Sequence, residues 1–228
     1  MNAVFDAKER KQERLNSGIP DAISPNLYNG VIGLLLLYGF GVNALMVHLC
    51  SGLMLQIPPL VFLIVYFILC FAGTACAASD KPGMSFLGYN LIVVPIGAVL
   101  SLSLPDFDSD LIMTAMLYTG LITAVMTALA SFFPQLFSGL GKALGISLLV
   151  TLILSLVSCF FFGGAGEMIF LWVGAGIFTL YIGYDWYKAQ AYPKTLDNAV
   201  DSALDLYLDI INLFLKILRI LAKARRDD

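Results

Sequence analysis

Residues 59–78 read PLVFLIVYFILCFAGTACAA, a run of 20 from Pro59 to Ala78 without one charged side chain. At a rise of about 1.5 Å per residue, a helix of this length covers about 30 Å, the hydrocarbon thickness of a bilayer. The run is apolar on every face, so no side of such a helix is made for water. It is one of several. Comparable runs cover about residues 28–50, 84–104, 111–133, 140–162 and 168–188, and a seventh of a different kind covers about 199–221. The breaks carry turn chemistry: Ser79-Asp80-Lys81-Pro82-Gly83, the stretch from Pro105 to Asp110, Pro134, Gly163-Gly164-Ala165-Gly166, and Pro193. The fold class that follows is an all-α, polytopic membrane bundle of seven transmembrane helices, with sequential neighbours antiparallel. Residues 1–26 form a polar N-terminal segment, 27–222 the membrane domain and 223–228 a short charged tail.

Composition supports this. The chain has 228 residues, 59% hydrophobic and 13% charged, with a mean hydropathy of +0.86. A soluble domain of that length cannot bury so much apolar surface. The net charge of −3 and the absence of a basic patch exclude nucleic acid as a partner; the lipid bilayer is the first one. Cys50, Cys70, Cys76 and Cys159 form no CxxC and have no histidine at zinc-ligand spacing, so they read as packed thiols and no metal site is expected. His48, the single histidine, reads as a packed or interfacial side chain. No HExxH, GxSxG or Ser/His pairing appears, so neither an enzyme nor a cofactor is expected. The apolar run after the polar start is too long for a signal-peptide core, so no cleaved signal is expected. Gly141 with Gly145, and Gly39, Gly41, Gly174 and Gly176, are expected at close helix approaches. Asn43, Asn90 and Asn212 are expected to bond between helices, and Tyr184, Trp186, Tyr187 and Tyr192 to form an interfacial belt.

Lys and Arg placement orients the chain. With the N-terminus and its Lys8, Arg10, Lys11 and Arg14 in the cytoplasm, Lys81, Lys142, Lys188 and Lys194 all fall on cytoplasmic loops. The opposite loops hold Asp106, Asp108, Asp110 and Glu167 and no base. Only the end departs from the rule. A seventh crossing exports Lys223, Arg225 and Arg226, whereas a re-entrant last helix keeps them inside.

Ionisable groups inside a span cost about 2.5–3.5 kcal/mol each and are functional candidates. They concentrate at Asp185 in the sixth segment and at Asp201, Asp205 and Asp209 in the seventh. With Asn212, Lys216, Arg219 and Lys223, the last three acids share one arc of a helix whose other face is Leu, Ile, Phe and Tyr. Either this is an amphipathic helix lying on the membrane with a solvated stripe, or the stripe faces the bundle interior and attracts cations. Asp185 favours the second, because a second intramembrane acid needs a partner too. Two carboxyls in contact in a low-dielectric site do not both ionise cheaply, so a shared proton and a pH response are expected. The ionised form attracts a hard cation such as Ca2+, and H+, Na+ or K+ feel the same field.

The run Asp205-Leu206-Tyr207-Leu208-Asp209-Ile210-Ile211-Asn212-Leu213-Phe214, followed by Leu218-Arg219, resembles the final helix of the Bax-inhibitor (transmembrane Bax-inhibitor motif) family. Leu180-Tyr181-Ile182-Gly183-Tyr184-Asp185 resembles that family's sixth helix. The 24-residue separation of Asp185 and Asp209 fits its pair of membrane aspartates. The resemblance is to members of the bacterial type and implies a plasma-membrane protein of seven helices, the last at the centre, with a pH-sensitive Ca2+ leak. In that scheme Asp185 and Asp209 are the sensor and gate, while Asp201, Asp205 and Asn212 continue the ion path. Bacterial relatives carry an arginine-containing basic cluster at the end of the second helix as a latch. Here Ala78-Ser79-Asp80-Lys81 stands in its place, leaving Lys81 as the candidate latch. Some family members are instead described as non-transporting regulators. That alternative makes residues 1–26 the contact for another membrane protein, a membrane protease or a cell-death factor.

Overall fold

The computed structural model describes residues 21–54, 56–162 and 166–227. Most of the polar N-terminal segment, with Lys8, Arg10, Lys11 and Arg14, lies outside the described residues, as do Gly163, Gly164, Ala165 and the side chains of Cys159 and Arg226.

Each of the seven apolar runs is a helix: α1 Pro25–Met54, α2 Pro59–Ala77, α3 Pro82–Ser103, α4 Ser109–Phe132, α5 Gly141–Phe162, α6 Glu167–Ala191 and α7 Leu196–Asp227. Short 3-10 turns, Leu104–Asp106 and Pro134–Leu136, follow α3 and α4. Proline opens α1, α2 and α3, the first-turn position where its missing N–H costs nothing. Gly166, just before α6, has φ +79°, a conformation that a side chain would strain. Among the described residues the β structure is one isolated bridge, Ala22 with Thr195.

Six of these helices, α1 to α6, are long and apolar enough to cross a membrane. Their outward side chains are bare: Leu37 is 71% exposed, Phe71 74% and Phe132 77%. Such surface suits lipid and not water. Many hydroxyls in these helices are satisfied locally. The hydroxyls of Thr74, Ser101, Thr114, Thr119, Thr127 and Thr151 each donate to a carbonyl four residues back, as a membrane interior demands. The chain is a multi-pass, all-α membrane bundle.

Two compact units make it up. In the first, α3 packs on both α1 and α2. The α2–α3 crossing is held close by Gly73 and Gly88: a Cβ on Gly88 would stand 2.6 Å from the Ala77 nitrogen and from the Gly73 carbonyl. Of the glycines singled out from spacing, Gly41 and Gly176 face open space, while Gly174 and Gly141 lie under Lys216 and Tyr184. Asn43 is buried beside Gly97, whereas Asn90 accepts the Tyr38 hydroxyl at 2.7 Å within an exposed contact and returns its amide to Phe86. The start of α7 belongs to this unit. Thr195 caps it, accepting the Asn198 N–H at 3.1 Å. Tyr28 of α1, fully buried, sets its hydroxyl 2.8 Å from Ser202 and 3.2 Å from the Asn198 carbonyl. The buried Lys194 ammonium lies 4.4 Å from the centre of the Tyr28 ring.

In the second unit α6 and the rest of α7 run antiparallel. Lys188 meets Asp205 at one end, and Lys223 meets Glu167 at 2.6 Å at the other. Arg225 adds an ion pair to Asp108, before α4, at 2.7 Å. The last helix therefore covers the same height as α6, whose length spans a bilayer. It is also buried along its length: Leu206, Tyr207, Leu213 and Leu218 are at most 1% exposed. The apolar face of this helix therefore packs against protein, with Asp209 of its polar stripe buried as well.

Candidate functional site

The site forms where α6 ends and α7 is two to three turns in. Asp185 and Lys188 sit three apart on α6 and share a face; Asp205 and Asp209 sit four apart on α7 and share another. The Lys188 ammonium donates to Asp205 Oδ2 at 2.7 Å and lies 3.0 Å from Asp185 Oδ1. One cation thus bridges an acid on each helix. Asp209 takes the remaining place, its buried carboxyl facing that of Asp185 at close electrostatic range.

Burial separates the members. Asp185 is 7% exposed and Asp209 6%, whereas the Asp205 side chain is 39% exposed. Asp209 Oδ2 is buried with no hydrogen-bond partner among the described residues, an uncommon condition for a carboxyl oxygen. Tyr181, one turn before Asp185, lies within electrostatic range of both acids. Three carboxyls face one ammonium, so even with one proton between Asp185 and Asp209 the cluster keeps an excess negative charge.

The other candidates are placed as follows. Asp201 is half-buried on the first turns of α7, within the first unit. The Asn212 amide donates back to the Leu208 carbonyl at 2.7 Å, a bond within its own helix. Lys81 is exposed at the N-cap of α3. Lys188, read from the sequence as a loop charge, is instead the cation of the site; its three-residue offset from Asp185 was the available signal. Trp186, read as belt, also donates its indole N–H to Ser131 at 2.8 Å. Among the described residues no group of His, Cys, Asp and Glu side chains is arranged to hold a metal.

Comparison with known proteins identifies the family. Residues 22–226 match the family model described as "Inhibitor of apoptosis-promoting Bax1". A stretch of 64 residues is 44% identical to Bax inhibitor 1 of Saccharomyces cerevisiae, covering 27% of this chain. That match spans only 20% of the yeast protein's length. Since the family model covers nearly the whole chain, the protein belongs to the Bax inhibitor family.

Proposed function

We propose that this protein is a pH-sensitive cation leak, with Ca2+ the leading permeant ion, gated by the proton that Asp185 and Asp209 share. The observation that carries this reading is the contact of two buried carboxyls on antiparallel membrane helices. While the proton stays, the pair bears one negative charge and joins α6 to α7. When it leaves, two negative charges stand at contact distance in a low-dielectric setting. Repulsion then parts the helices and the doubly charged site draws in a hard cation. Lys188 acts as the latch, because it already ties Asp185 to Asp205 across the same seam. Asp201, Asp205 and Asn212 extend the polar stripe along which the ion moves. The N-terminus lies in the cytoplasm of a bacterial cell, the chain crosses the plasma membrane seven times, and it catalyses no reaction.

The test is Ca2+ flux in proteoliposomes across acid to mildly alkaline pH. Flux is expected to rise as the pair loses its proton. Asp185→Asn and Asp209→Asn should each flatten that dependence, with little additivity in the double variant. If Asp205→Asn flattens it while Asp209→Asn leaves it intact, the sensor is Asp205. Absence of flux from intact protein at every pH rejects the leak and leaves binding of another membrane protein as the role.

A further inference from the structure

The seam between α6 and α7 carries charge beyond the aspartate site. Along α6, Glu167, Gly174, Tyr181 and Lys188 recur at seven-residue spacing, which returns a helix to within about 20° of one face. Along α7, Lys223, Lys216 and Asp209 do the same in the opposite direction. At three levels of this seam opposite charges or carboxyls meet: Lys223 on Glu167, Asp209 on Asp185, and Lys188 on Asp205. The remaining level is different. Lys216 meets Gly174, its Cε 3.0 Å and its Nζ 3.5 Å from where a Cβ on that glycine would stand. The missing side chain on α6 is what leaves room for the lysine stem. Lys216 is half-buried, with Arg219 and Glu167 within electrostatic range of its ammonium.

We propose that Lys216, seated in the Gly174 notch, is the charge barrier of the ion path: a fixed ammonium that any cation leaving the aspartate site along the seam must pass. This rests on the leak reading. The barrier stands two turns, about 10 Å, beyond Asp209 on the same face of α7. It opposes the passage of a divalent cation more strongly than that of a monovalent one, because the repulsion scales with the ion's charge. The acidic half of α7 thus collects cations and the basic half limits their exit.

The experiment is Ca2+ and K+ flux in proteoliposomes for wild type and for Lys216→Gln, Lys216→Glu and Lys216→Arg, with each variant first shown to be monodisperse in detergent. Lys216→Gln is expected to raise Ca2+ flux several-fold and Lys216→Glu further, with a smaller gain for K+. Lys216→Arg, which keeps the charge, should stay at or below wild type. If wild type leaks and the Gln and Glu variants match it, the barrier is overturned and the leak stands. If wild type is silent and Lys216→Glu leaks, the barrier is supported and the wild-type leak is rejected. Silence from both at every pH overturns both.

Discussion

Lys188 serves two carboxylates on two helices, and that double duty makes it the residue whose loss the site tolerates least. Lys188→Met leaves Asp185 and Asp205 without their cation. Breaking a buried pair on one side costs about 3–5 kcal/mol, but the Lys188 side chain is 24% exposed, so solvent screening reduces the expected loss to roughly 1–3 kcal/mol. A double-mutant cycle of Lys188→Met with Asp205→Asn, read by thermal unfolding in detergent, should give a coupling of about 0.5–3 kcal/mol; strict additivity would mean that the 2.7 Å contact does not stabilise the protein. Lys194, in the turn between α6 and α7, follows a different rule. Burial pulls its ammonium from 10.5 down to about 8. Between those two values the unfolded chain binds a proton that the folded one lacks, so stability rises with pH across that window and is flat above it. Amide exchange at Ile23, whose N–H donates to the Lys194 carbonyl at 2.8 Å, should slow as pH rises through the window after correction for the intrinsic rate. In Lys194→Met the trend should vanish.

At the scale of elements, the α2–α3 crossing is the place where one atom decides packing. A methyl on Gly88 meets backbone, which cannot rotate away. Gly88→Ala is therefore expected to destabilise the protein by about 1–3 kcal/mol. Gly41→Ala, with nothing within 4 Å of the added carbon, should be neutral or slightly stabilising. Equal thermal midpoints for the two variants would refute the close crossing. The same comparison explains why glycine spacing alone picked other positions: it marks where helices can approach, and only the partner's backbone says where they do.

At the scale of the whole molecule, the last helix decides the topology. The ion pairs of Lys223 with Glu167 and of Arg225 with Asp108 join its end to the starts of α6 and α4, and its beginning meets the end of α6 through Lys188. A reporter fused after Asp228 should therefore lie on the same side as one placed within the loop from Asp106 to Asp110, and opposite to one near Pro193. A C-terminal reporter on the Pro193 side would exclude a seventh crossing. If the tail lies opposite the Pro193 loop, its Lys223 and Arg225 depart from the charge rule next to the acids they pair with, Glu167 and Asp108.

The all-α class, the membrane setting and most helix boundaries were legible in residue order, because lipid imposes a length and an apolarity that each span must meet by itself. Asp185 and Asp209 stood out for the same reason, as charges that a span does not carry idly. Which acids touch was not legible. The resemblance names Asp185 and Asp209, but residue order does not show that Lys188 occupies Asp205 and leaves Asp209 to face Asp185. The role of Lys188, the Gly174 notch under Lys216 and the Tyr28–Lys194 stack were likewise decided by tertiary structure alone. Each depends on the rotation and offset of one helix against another, which are set by side-chain packing across the interface and by no property of either helix on its own.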